Sequence, residues 1–148
     1  LLSTTVGGGN FSNFPLFCGK SGAVVGYYLI WNPSRQMSFN IATSGGEKNS
    51  GVNATAWALG SWYFAMGRYN KDAGANNLKI DLFGNGLHES NSSTQTLAIS
   101  STSGSVAYAW DPNRGYEVNV LGQHFGIINR SITDAEMNRM AQLAGLYV

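Results

Sequence analysis

Apolar and polar residues alternate along several short stretches of the chain, which is the pattern of β-strands that bury one face. In residues 36–43, Met37, Phe39 and Ile41 fall on one face, and smaller or polar residues fall on the other. Successive side chains of a strand point to opposite sides of the sheet. The alternation therefore predicts a strand over 36–43 whose three large apolar residues face the core.

A second alternating stretch covers residues 78–83 and leads into Asn85-Gly86, a pair that favours a tight hairpin turn. Turn-forming residues recur about every ten residues along the chain, a spacing typical of β-sandwiches and barrels. Residues 44–51 and 70–77, rich in glycine and asparagine, are predicted loops. The remaining predicted strands are 16–19, 26–32, 52–58, 61–69, 87–90, 97–100, 106–109, 116–121 and 125–129.

One helix interrupts this β pattern near the C-terminus. Thr133 and Glu136 have the spacing of a capping box, in which each side chain accepts a hydrogen bond from the other residue's backbone amide. Gly145 is placed to end the helix. The apolar residues at helical spacing are Met137, Met140 and Leu143. The sequence therefore predicts a helix over residues 133–143 that docks on a sheet through this stripe.

Composition narrows the class of protein. Hydrophobic residues make up 43% of the 148 residues, enough for one domain with one core. Only 11% are charged, so hydroxyls and amides supply most polar surface, as in extracellular or virion-surface β proteins. The net charge is +1 without a cationic cluster, which argues against nucleic-acid binding. No apolar run approaches the roughly 20 residues that span a bilayer, so membrane insertion is not expected.

Three segments carry a family resemblance through their order and spacing. Residues 59–86 contain Gly60-Ser61-Trp62-Tyr63 and then a strand closing in Asn-Gly, which resembles the laminin-G-like signature. Residues 125–136, which end in Asn-Arg-Ser-Ile-Thr-Asp-Ala-Glu, are similar to the late strand that opens a short helix in that family. Residues 26–39 resemble its Gly-Tyr-x-Leu hairpin. The chain is thus similar to laminin-G-like and concanavalin A-like domains over roughly residues 15–144.

The resemblance implies an all-β fold, a two-sheet antiparallel jelly-roll sandwich with one short C-terminal helix. Residues 1–148 would form a single such domain that lacks its first strands. The sheet edge left open would then be covered by a neighbouring subunit or by a missing N-terminal segment, because open edges invite pairing. Family members bind glycans or proteins, often with calcium at a rim, and occur on virion, bacterial and other extracellular surfaces.

Catalytic chemistry is not expected. Retaining glucanases use two carboxylates about 5 Å apart, which alternate positions on one strand would supply. Only Asp134 and Glu136 lie two residues apart, and they fall at the predicted helix start, where such positions do not share a face. Neither His88 nor His124 has a Cys or another His at metal-ligand spacing, so a zinc site is unsupported. The sequence therefore predicts that the protein is not an enzyme and requires no cofactor.

A binding surface is the more natural expectation. The turn after Trp110 brings an acid, an amide and a guanidinium beside an aromatic platform, and Trp57 is a second candidate. The alternative is that these tryptophans plug or cover the sheets. The predicted contact residues are Trp110, Asp111, Asn113, Arg114 and Trp57. Weak calcium candidates are Asp72, Asp81 and Asp111.

Three functions remain open from the sequence. The first is a lectin-like module that recognises a glycan or receptor on a virion or cell surface. The second is a structural decoration or adhesin domain that binds a surface protein. The third is a degenerate glycoside hydrolase relative. Each rests on the resemblance, because fold alone does not determine function.

Overall fold

The computed structural model describes residues 2–4, 14–21, 24–32, 34–58, 60–100, 106–108, 110–111, 116–117, 120–122 and 126–146. These residues form twelve strands and one helix. The elements are β1 Leu2–Thr4, β2 Phe14–Ser21, β3 Val24–Trp31, β4 Met37–Thr43, β5 Gly46–Asn49, β6 Phe64–Tyr69, β7 Leu78–Gly84, β8 Leu87–Ser93, β9 Val106–Tyr108, β10 Trp110–Asp111, β11 Tyr116–Glu117, β12 Val120–Gly122 and α1 Asp134–Leu143.

All strand pairs of these elements are antiparallel. One sheet has five strands in the order β5-β4-β3-β2-β9, and another has three in the order β6-β7-β8. Two short pairs, β1 with β12 and β10 with β11, complete the described topology. The predicted antiparallel β architecture with one short C-terminal helix is confirmed at this level.

The hairpin from β3 to β4 follows its sequence pattern. Asn32 closes the turn by accepting from Arg35 N at 2.8 Å, and Arg35 takes the positive φ of 61° that the turn requires. The predicted core side chains Met37, Phe39 and Ile41 are all buried. The segment 44–51, predicted as a loop, instead contains β5, because a two-residue turn returns the chain along β4.

The hairpin from β7 to β8 is formed by Asn85 and Gly86 with φ angles of 53° and 74°. Positive φ at both central residues is what a type I′ turn needs. The two strands pair in register from Gly84 with Leu87 to Leu78 with Ser93. The sequence prediction for this hairpin is confirmed.

The two larger sheets share one hydrophobic core. Phe39 of β4 packs over Gly67 of β6, where an added Cβ would lie 2.2 Å from the phenyl ring. Trp31, Trp57 and Tyr63 form an aromatic stack beside this contact, with centroid separations of 5.9 and 4.7 Å. The core therefore lies between β3 and β4 on one side and β6 and β7 on the other.

The helix α1 covers the outer face of the three-stranded sheet. Met137 and Ala141 are buried against Phe83, with Met66 packed beside them. The predicted stripe is wrong at its end, because Leu143 is 72% exposed. A residue six positions beyond Met137 lies about 120° away around the helix, whereas Ala141, four positions on, shares its face. Gly145 at φ 71° ends the helix as predicted.

Four predicted strands differ from the structure. Residues 52–58 form bends, because the Asn53 side chain bonds the backbone of Met37 in place of a strand partner. Residues 126–129 are exposed and lie in no strand. Residues 97–100 make only one bridge, between Ile99 and Thr43. The predicted strand 61–69 begins at Phe64, and among the described residues it is an edge strand rather than a central one.

Candidate functional site

The predicted loop site around Trp110 falls mostly outside the described residues. Trp110 and Asp111 form β10, which pairs with Tyr116 and Glu117. Asn113 and Arg114 lie outside the described residues. The proposed grouping of these four side chains therefore stays a prediction.

Trp57 lies in the core rather than at a rim. Its side chain is 1% exposed and stacks between Trp31 and Tyr63. Its backbone amide donates to Arg35 O at 2.7 Å, which draws the segment over the end of the β3–β4 hairpin. Trp57 was predicted as a contact residue because its neighbours Ala56 and Ala58 are small, and in the structure these two alanines are indeed exposed. In this position Trp57 cannot present its ring face to a ligand.

Two of the calcium candidates, Asp72 and Asp81, do not share a site, and the side chain of Asp111 lies outside the described part of the chain. Asp72 is 75% exposed and pairs with Lys71, whereas Asp81 is 1% exposed and binds Arg68 and His88. The described part of the chain holds no group of three or more His, Cys, Asp or Glu side chains that could hold a metal ion. The Asp81 carboxylate is already neutralised by a guanidinium, so its surroundings do not fit a cation.

A groove of about 1050 Å³ runs along β6 and is here named the β6 groove. All six residues of β6 line it, and the exposed segment 126–133 forms its far wall. On the side facing the five-stranded sheet it is lined by Tyr27, Leu29, Phe39 and Ile99. On the helix side it is lined by Met66, Lys79, Ile132 and Met140. A groove that reaches both sides of one strand is the shape expected of an exposed sheet edge.

The strand β6 is paired only with β7 among the described elements. In an antiparallel edge strand, alternate residues direct both their N–H and C=O groups away from the existing partner. Half of the backbone polar groups of β6 therefore point into the groove. These groups can pair with a further strand, which makes the groove a candidate binding site.

Arg68 is the central charge of the groove. Its Nε and Nη2 donate to Asp81 Oδ2 at 2.9 and 2.8 Å, and its Nη1 donates to Ile132 O and lies 2.7 Å from Asp134 Oδ1. The hydrogen bond from Arg68 holds the pKa of Asp134 below its usual value. Arg68 thus joins β6, β7 and the start of α1, and is fully engaged within the protein.

Hydrogen bonds fix the end of the groove near Asn70. The Asn70 side-chain amide donates to Ser131 Oγ at 2.8 Å, which fixes the wall segment to the end of β6. The Asn77 amide donates to Asn70 O and Gln95 O, and the Tyr69 hydroxyl donates to Leu97 O at 2.6 Å. These bonds join three loops at this end of the groove, so its shape is preformed.

A smaller hollow of about 130 Å³ lies at the other end of the three-stranded sheet. Glu89 lines it and accepts from Thr55 N at 2.9 Å and from the Asn53 amide at 3.2 Å. Burial raises the pKa of Glu89, but these hydrogen bonds outweigh burial and lower it overall. Its carboxylate is therefore used to hold the 53–55 segment, and the hollow is too small for a ligand of several residues.

Sequence reasoning missed the β6 groove because it depends on how the sheets and the 126–133 segment are arranged. The sequence carried one signal, the adjacent apolar residues Ile127 and Ile128 in a predicted strand. In the structure these two side chains are 54% and 45% exposed and line the groove.

No helix among the described residues is long and apolar enough to cross a membrane. Comparison with family models, curated proteins and solved structures finds no match for this chain.

Proposed function

We propose that the chain is a non-catalytic binding module that takes a glycan or a surface protein in the β6 groove. The groove carries this proposal, since it combines a preformed shape, apolar walls and a few orienting polar groups, as ligand sites commonly do. Its volume of about 1050 Å³ lies just above the range of roughly 300–1000 Å³ that is typical of ligand sites. It lies on strands and loops held by the core, which keeps its geometry defined.

The proposed class is a laminin-G-like or concanavalin A-like jelly-roll sandwich. Two antiparallel sheets that share one core support this class, as does the capped helix after the Asn-Arg-Ser-Ile-Thr motif. The proposed location is a virion or other extracellular surface, in keeping with a chain that is poor in charge. Pairing with a neighbouring subunit, and the absence of nucleic-acid binding and membrane insertion, belong to the same proposal.

We also propose that the chain has no catalytic activity. The acid that lines the groove, Asp134, is ion-paired with Arg68, which favours its charged form and opposes a role as general acid. Glu136, two residues on, is bound by Arg130 and the Thr133 amide. These two carboxylates therefore serve the helix start, and no hydrolytic mechanism is assigned to them.

A binding screen with a groove variant tests the proposal. Labelled protein is applied to a glycan array and a peptide array in calcium-containing buffer. We expect saturable binding on one array that weakens about tenfold in Ile128→Asn, since that exposed side chain lines the groove. Leu143→Asn is the matched control, because Leu143 is exposed but lies outside the groove. Binding that Ile128→Asn leaves unchanged would place the site elsewhere, and turnover of a glycan would contradict the non-catalytic assignment.

A further inference from the structure

The backbone along the β6 groove indicates a particular class of ligand. Strand β6 has six residues and spans roughly 20 Å, and the groove follows its whole length. The backbone groups on its open side repeat every second residue, which matches another extended polypeptide. A glycan presents hydroxyl groups in place of amide and carbonyl groups, so it does not reproduce the hydrogen-bonding pattern of a strand.

The surroundings on the two sides of β6 determine which side chains would fit on that polypeptide. Ala65 and Tyr69 pack with the core shared by the sheets, whereas Phe64 and Met66 pack with the cluster under α1. A strand added beside β6 would alternate in the same way. Its residues on the core side would meet Leu29, Phe39 and Ile99, so they should be apolar.

Among the described residues, the cations on the helix side of the groove differ in whether a carboxylate pairs with them. Arg68 is neutralised by Asp81 and Asp134, and Arg130 by Glu136. Lys79 lines the same side, and no carboxylate lies within ion-pair distance of it in the described part of the chain. This half-buried cation is complementary to an acidic side chain on the added strand.

We propose that the β6 groove binds an extended peptide of a partner protein as a fourth strand beside β6, with alternate apolar residues and a carboxylate that pairs with Lys79. This inference rests on the proposed function and narrows its ligand to a polypeptide. Addition of a strand to an exposed edge is a common mode of peptide recognition, in which backbone bonds supply affinity and alternate side chains supply specificity.

The probe is a short synthetic peptide in which valine alternates with threonine and one central threonine is replaced by glutamate. Its dissociation constant for the full chain is measured by fluorescence polarisation. N-methylation of alternate residues removes backbone donors from one edge of the peptide at a time. We expect methylation of one edge to weaken binding about tenfold or more, and methylation of the other edge to have little effect.

Lys79→Gln tests the charge. This variant should remove the preference for the glutamate peptide over its glutamine analogue, whereas Lys48→Gln, on β5 and outside the groove, should keep that preference.

Two results would overturn the inference: an equal loss of affinity from methylation of either edge, or a glutamate preference that survives Lys79→Gln. Glycan binding that depends on Ile128 without peptide binding would overturn the inference and leave the proposed function standing. If neither glycans nor peptides bind, both the inference and the proposed function are wrong. Dimerisation that the peptide reverses would assign the edge to a second copy of the chain.

Discussion

Gly67 and Phe39 set the separation of the two sheets at the scale of single residues. The phenyl ring of Phe39 occupies the space that any side chain at position 67 would need. Tight packing of this kind leaves no void for an extra methyl group. The side chain that is absent at position 67 is therefore as important to the core as the ring that fills its place.

Gly67→Ala should destabilise the protein by about 1–3 kcal/mol, because its Cβ would lie 2.2 Å from Phe39. Chemical denaturation would measure the change in the free energy of unfolding. Gly126→Ala is the matched control, since nothing lies within 4 Å of a Cβ there and the φ of Gly126 is not positive. Equal stability of the two variants would mean that the sheets do not meet at Gly67.

The residue scale also shows where sequence reasoning fails. Trp57 was a candidate contact residue and Asp81 a weak calcium candidate, yet both side chains are 1% exposed. Asp81 alternates correctly with Ile80 and Leu82, but α1 covers the face that it occupies. Alternation predicts which side of a strand a residue takes, whereas burial depends on what packs against that side.

At the scale of elements, α1 is the best example of a locally determined structure. Thr133 Oγ accepts from Glu136 N at 3.2 Å, and Glu136 Oε2 accepts from Thr133 N at 2.9 Å, which completes the predicted capping box. At the other end, Leu146 N donates to Ala141 O and Gly145 N to Gln142 O, the pattern of a Schellman motif. Both ends use only nearby residues, so the sequence suffices to predict them.

The start of α1 should weaken in acid. Hydrogen bonds from Arg130 and Thr133 lower the pKa of Glu136 from 4.5 to about 2. Because the folded-state pKa is depressed, the stabilisation is complete above about pH 4.5 and is lost as the pH falls towards 2. An NMR titration of the Glu136 carboxyl carbon should give this low midpoint.

Thr133→Ala provides the control for that titration. The substitution removes the hydroxyl that bonds Glu136, so the pKa of Glu136 should rise and the protein should lose about 1 kcal/mol of stability. Thr133→Ser keeps the hydroxyl and should change neither quantity substantially. An unaltered titration midpoint in Thr133→Ala would show that the capping box does not hold Glu136 in solution.

Elements that depend on distant partners were predicted less well. β4 and the β7–β8 hairpin follow from alternation and turn chemistry within their own residues. Residues 52–58 were predicted as a strand from composition, but Asn53 there bonds β4 and Glu89 through its side chain. The β6 groove could not be predicted either, since its walls come from both larger sheets and the 126–133 segment.

At the scale of the whole molecule, one guanidinium connects the layers. Arg68 reaches from β6 to the buried Asp81 of β7 and to the exposed Asp134 of α1. The two carboxylates bind the same group in different surroundings. Their comparison therefore separates the contribution of a buried ion pair from that of a surface one.

Asp81→Asn should destabilise the protein by about 3–5 kcal/mol, because it leaves a mostly buried guanidinium without its buried counter-charge. Asp134→Asn should change stability by about 1 kcal/mol or less, since Asp134 is 69% exposed. Urea denaturation of both variants at neutral pH would compare them. Similar losses would mean that Arg68 does not distinguish the two acids.

The position of β7 between two packed layers has a consequence for evolution. Leu78, Ile80 and Leu82 contact one core, Phe83 contacts the other, and of its seven residues only Lys79 is less than fully buried. A mutation in this strand must therefore suit the opposing sheet or the helix as well as its neighbours. Related sequences should diverge least along β7, while the exposed β5 and β8 drift.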